Sequence, residues 1–157
     1  MRHSEKRRLN KMKKWTRICL CLVIVGVVLC GIFFAPRISM ALTWRRIQKQ
    51  QDELETFAQE LITKSSRDTQ TTYKNWKVSY WAHTGSVEFE ISSFGLVPSS
   101  KYRGFYYSWH DRPLGAHGYA VAFTEQEDGW YWQERNGDNR QFTKRMAEHW
   151  FWYEIQY

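Results

Sequence analysis

Glu88 and Glu90 lie two residues apart in VEFEIS. On a strand that spacing puts both carboxyls on one face, about 6.6 Å apart along the backbone. Two carboxyls so placed can act as acid and base on a glycosidic bond. The neighbours Val87, Phe89 and Ile91 favour a plainer reading: the apolar residues face a core, and the glutamates face water. A second cluster is WHDRPLGAH, with His110, Asp111 and His117. These residue types bind metals, but their spacing fits no zinc pattern and no thiolate is nearby. The segment reads as a solvated loop, and no metal or cofactor is assigned. No GxSxG, HExxH or phosphate-cradling glycine motif occurs. The chain is read as non-enzymatic.

Binding is better supported than catalysis. Trp130 and Trp132 alternate in one segment, and Trp150 and Trp152 in another. Flat rings give large contact area with few torsions to freeze, so these four are the candidate binding residues for a glycan or a peptide. Core packing in a small domain produces the same density of rings. The two readings differ in whether a helix lies across the tryptophans.

The elements that hold these residues begin at residue 73. Residues 73–157 contain seven Trp, nine Tyr and six Phe, a composition suited to strands. KVSYW, VEFEIS, RGFYYSW, AVAFTE, WYWQER and WFWYEIQY read as strands, and HTGS, HDRPLG, QEDG and NGDN as turns. FTKRMAEH reads as a short helix. In the last strand Phe151, Tyr153, Ile155 and Tyr157 share one face, and Trp150, Trp152, Glu154 and Gln156 the other. So sticky a terminal strand is expected inside the sheet, because a bare apolar edge invites aggregation. Upstream, Met40, Ile47, Leu54 and Leu61 recur every seven residues, with Phe57 and Ala58 on the same side. This predicts an amphipathic helix over 41–64, followed by the polar loop KSSRDTQTT. The fold class is α+β: a membrane helix, an amphipathic helix, and a small antiparallel sheet of about five to seven strands.

The N-terminal part sets location. Residues 1–17 carry eight Lys/Arg and one Glu, residues 18–35 carry no charge, and residues 36–157 carry fifteen of each sign. The whole excess of +7 therefore lies in one tail. A neutral domain lacks the phosphate-neutralising surface of a nucleic-acid binder, which excludes that partner. The apolar run ICLCLVIVGVVLCGIFFA spans about 27 Å as a helix, close to a bilayer core. The cations before it place the N-terminus in the cytoplasm and residues 36–157 outside. The lipid bilayer is thus a predicted partner. The domains read as a basic tail (1–17), a single-pass signal-anchor helix (18–35), an amphipathic helix with linker (36–72) and an extracytoplasmic aromatic β domain (73–157). Retention of the anchor is favoured over cleavage near Ala41. Cys19, Cys21 and Cys30 all lie in the run, so the outer part has no disulfide. With no Asn-x-Ser/Thr present either, a bacterial envelope suits the chain. The layout resembles a pseudopilin, but the processing Gly before the run and the Glu after it are missing, so nothing is carried over. The expected function is a membrane-tethered interaction or structural module with an envelope protein or a glycan as partner.

Overall fold

The computed structural model describes residues 40–96 and 99–157. The basic tail and the apolar run at 18–35 lie outside the described residues. Among the described residues no helix is long and apolar enough to cross a membrane. The chain divides into two compact units after Arg46. Of the first, residues 40–46 are described and are helical. The rest of the description concerns Ile47–Tyr157.

The helix predicted over 41–64 is broken. Helical residues end at 48, and Gln50 leaves the helical region at φ −134° and ψ 25°. Lys49-Gln50-Gln51 has nothing to bury, so packing does not hold a straight helix through it. A fresh helix, α1 (Gln51–Lys64), starts there. Asp52 and Glu53 in its first turn and Lys64 in its last oppose its dipole. Leu54 and Ala58, one turn apart, are fully buried, as is Ile47.

Eight strands follow: β1 (Thr69–Tyr73), β2 (Trp76–Trp81), β3 (Ser86–Leu96), β4 (Ser99–Ser108), β5 (Thr124–Gln126), β6 (Gly129–Gln133), β7 (Arg140–Ala147) and β8 (Trp150–Gln156). They form one antiparallel sheet in the order β1-β2-β3-β4-β8-β7-β6-β5. Two four-stranded meanders are thus joined where β4 pairs with β8. The α+β class holds, with eight strands rather than five to seven. Three differences account for the added strands and the changed ends. The polar loop expected at 64–72 becomes β1, whose Thr-rich sequence pairs with β2 and needs no buried face. The first six residues of FTKRMAEH are strand, not helix, and its last two the turn into β8, because β7 fills the ladder between β6 and β8. AVAFTE contributes only its last residues, to β5. The closing segment lies inside the sheet, with β4 on one side and β7 on the other.

Each face of the sheet is covered in part. On one face α1 packs over Val78, Val87, Phe89, Phe105 and Tyr107. Phe57 meets the Phe89 ring at 6.2 Å, and Gln59 Nε2 donates to Tyr107 Oη at 3.2 Å. The β1–β2 hairpin is tied to the same helix. Lys74, at φ 53° in the turn, reaches Glu53 and Gln50 at 2.7 Å each, and Phe57 stacks on Tyr73 at 4.2 Å. On the other face lies the long connection from β4 to β5, residues 109–123, here called the strap. It must travel from the centre of the sheet to its far edge. Leu114 and Ala116 of the strap join Tyr106, Phe151, Tyr153 and Ile155 in a second core. A 3-10 turn, Ala116–Gly118, sits at its middle.

Candidate functional site

The strap face brings together residues that look unrelated in sequence. β2 sends Lys77, Ser79 and Trp81 to this face, and β3 sends Glu88 and Glu90. Ser79 pairs with Glu88, and Lys77 with Glu90. β4 contributes Tyr102 and β8 Tyr153. With His117 of the strap these residues line a pocket of about 270 Å³. That is just below the roughly 300–1,000 Å³ of common ligand sites, so it suits one small molecule.

Glu88 lies at its base and is only 4% exposed. This overturns the expectation that Glu88 faces water. Both faces of β3 are buried, because the strap covers the face that alternation assigned to solvent. Its Oε1 accepts the backbone N–H of His117 at 2.6 Å. Burial pushes the Glu88 carboxyl up to about 8, against these stabilising contacts. The Trp81 indole N–H lies near enough to favour the ionised carboxyl, yet it meets no acceptor in hydrogen-bond geometry among the described residues. Glu90, nearer the mouth, faces Lys77 at 3.8 Å.

His117 is held from two sides. Its backbone is left-handed at φ 55°, which turns its N–H toward Glu88. Its Nδ1 meets the Tyr157 hydroxyl at 2.8 Å, and its ring packs edge-on against Tyr102 at 5.0 Å. Burial lowers the imidazole pKa, favouring the neutral ring. The cluster His110, Asp111, His117 does not exist in space as a solvated loop. His110 is exposed. Asp111 accepts a two-pronged bond from Arg145 Nη1, at 2.7 and 2.8 Å, and pins the strap's start. Among the described residues no group of His, Cys, Asp and Glu is arranged to hold a metal.

The four candidate tryptophans do not form one surface. Trp150 and Trp152 are 0% and 2% exposed on the α1 face, where Trp150 packs on Phe89, Phe105 and Tyr107. Trp130 and Trp132 pair with Thr143 and Gln141 and so lie on the strap face, half-buried. Trp130 packs on Phe151 there.

The pocket residues Trp81, Tyr102 and Tyr153 are not singled out as site residues by sequence reasoning. One signal points to them: the segment between RGFYYSW and AVAFTE is too long for a hairpin turn and carries Leu114 and Ala116 among Pro and Gly. Such a connection has to cross a face and bury it.

No family model, curated protein or solved structure matches this chain.

Proposed function

We propose that the chain is a single-pass, membrane-anchored recognition module whose folded unit stands outside the membrane. Its ligand site is the Glu88–His117 pocket, and its ligand is a small neutral polyol of sugar size. The apolar run and the cations before it support the anchor and its orientation. The observation that carries the ligand is Glu88 itself. It is a buried carboxyl at the base of a pocket walled by Trp81, Tyr102 and Tyr153. Ring walls with a polar base suit a molecule with one flat apolar side and several hydroxyls. Trp150 and Trp152 leave the reading, since a sealed ring contacts no ligand; they belong to the structural core.

A second reading has its own support. Glu88 is held protonated, while Glu90 is paired with Lys77 on the same strand face. A buried carboxyl that keeps its proton beside an ion-paired one is the arrangement of acid and base in a hydrolase.

Full-length protein in nanodiscs, titrated with small neutral sugars, tests the binding reading through tryptophan fluorescence. A saturable change lost in Trp81→Phe and in Glu88→Ala is expected. Glu88→Gln should keep binding, whereas release of nitrophenol from aryl glycosides, abolished by Glu88→Gln, would favour the hydrolase. No response to any sugar sinks the pocket. For topology, a single cysteine at the exposed Ser99, with the native three replaced, should react with an impermeant maleimide on intact cells. One at Ser4 should not, and the reverse pattern inverts the orientation.

A further inference from the structure

α1 does not cover the whole of its face. Beyond Phe105 and Trp152 the strands continue, and their side chains on that face change character. β4 presents Arg103 and Lys101, β8 presents Glu154 and Gln156, β7 presents Arg140 and Phe142, and β6 presents Tyr131. The register sets them side by side: Arg103 against Glu154, Lys101 against Gln156, Gln156 against Arg140, and Phe142 against Tyr131. They line an open groove of about 600 Å³, roughly twice the Glu88 pocket. It lies on the opposite face of the sheet from that pocket and shares no residue with it.

We propose that this groove binds a segment of an acidic polysaccharide, one bearing a carboxylate on each sugar. Three features of the groove carry this. The first is charge. Lys101, Arg103 and Arg140 face a single lining carboxylate, Glu154. The unit as a whole is not basic, since residues 36–157 balance fifteen cations with fifteen anions. The excess is therefore local. Lys144 extends it, because it follows Arg140 and Phe142 on the same face of β7.

The second is unspent donors. Arg103 uses Nε on Glu154 at 3.4 Å, and Arg140 uses Nη2 on Gln156 at 3.0 Å. A guanidinium has five N–H donors in a fixed fork that suits a carboxylate. Both side chains retain donors beyond these contacts.

The third is the floor. Tyr131 and Phe142 lie against each other at 4.8 Å between ring centres, and amide side chains of Gln126, Gln133 and Gln156 border them. Ring faces and amides match sugar rings and hydroxyls. The floor also argues against an acidic peptide. Peptides add to a sheet through a free edge; the two floor rings stand on β6 and β7, each paired on both sides, and the groove reaches an edge only at the three-residue β5.

The probe is a galacturonic acid hexamer, with cellohexaose as the uncharged control. Full-length protein in nanodiscs of zwitterionic lipid is titrated with each by calorimetry, at low and at physiological salt. The expected result is binding of the acidic hexamer that weakens with salt, and at least tenfold weaker binding of cellohexaose. Arg140→Gln combined with Lys101→Gln should weaken the acidic hexamer about tenfold or more. Both residues are exposed, so the fold should survive, and circular dichroism checks it. Glu88→Ala should leave this binding unchanged even if it destroys the other site. Three outcomes overturn the proposal: no binding of the acidic hexamer; equal binding by the charge variant; or capture of anionic vesicles or a polyglutamate peptide at least as tight as that of the hexamer.

Discussion

Glu88 Oε1 accepts the backbone N–H of His117 at 2.6 Å, across 29 residues of sequence. One buried carboxyl thus fastens the strap to the middle of the sheet. It also places a titratable group under the pocket, which makes both the stability of the unit and the state of its site depend on pH.

The direction follows from the shift. The Glu88 carboxyl titrates near its ordinary 4.5 in the unfolded chain and near 8 in the folded one. Between those values the folded state holds a proton that the unfolded state has lost. Stability therefore falls as pH rises through this window and levels off above it. At about 1.4 kcal/mol per unit, the whole window is worth about 5 kcal/mol as an upper bound. His117 works in the opposite sense, because its lowered pKa removes stability as pH falls below 6.5. Glu88→Gln isolates the first effect. Its stability relative to the native chain should rise steadily from pH 5 to pH 8 in urea titrations of residues 47–157. A constant difference across that range would mean that the carboxyl titrates normally.

Tyr106 performs a similar fastening with a neutral group. Its hydroxyl accepts the Leu114 N–H at 2.9 Å and shares a hydrogen bond with Thr143 at 3.0 Å. Tyr106→Phe keeps the ring stacked on Phe151 but leaves the Leu114 N–H buried and unpaired. An unsatisfied buried donor costs about 1–3 kcal/mol. Hydrogen exchange at Leu114 should accelerate more than exchange in β2 or β3. Uniform acceleration would show that the strap and the sheet open as one unit.

Gly104 of β4 pairs with Glu90 of β3 just before the β3 bulge. A Cβ there would stand 2.3 Å from the Phe89 carbonyl oxygen and 2.8 Å from the Tyr153 ring, which packs over the glycine from β8. Gly104→Ala must push apart backbone and ring together. Overpacking of this kind costs about 1–3 kcal/mol or more, and the pocket should be distorted with it because Tyr153 lines its wall. An unchanged thermal midpoint would show that the ring moves aside freely.

The outline of this fold is legible in single segments, because alternation reports directly on a strand with one wet face. WFWYEIQY divides into its two faces as written. VEFEIS sends Val87 and Phe89 one way and Glu88 and Glu90 the other as written, but its glutamate face is not wet, and the cause lies elsewhere in the chain. Nothing near Glu88 records that His117 and Gly118 will lie over it. The same long-range covering joins His117 to Glu88 and separates it from His110, its near neighbour in sequence. FTKRMAEH has residues compatible with a helix, but two flanking ladders decide its state. The Arg103–Arg140 groove escapes sequence reasoning because its cations come from strands that become neighbours only through β8.

β8 is therefore the element whose loss is most informative. It alone links β1–β4 to β5–β7 in the sheet. Deleting residues 150–157 removes Trp150, Phe151, Trp152, Tyr153 and Ile155, all buried, and unpairs both β4 and β7. Burial of one such side chain is worth about 1.5–3 kcal/mol. The sum rivals the roughly 5–15 kcal/mol that holds an ordinary domain together. The truncated unit should be unfolded or insoluble. Single changes then report on the two faces. Phe151 lies in the core beneath the strap, and Trp150 packs among Phe89, Phe105 and Tyr107 on the α1 face; both are 0% exposed. Phe151→Ala and Trp150→Ala should therefore each cost about 3–5 kcal/mol. Trp130→Ala, at a half-buried position, should cost clearly less. Urea midpoints of residues 47–157 and these variants measure all four effects. A Trp150→Ala midpoint close to the native one would mean that the α1 face is loosely packed. An unchanged midpoint after truncation would mean that the sheet does not run through β8 at all.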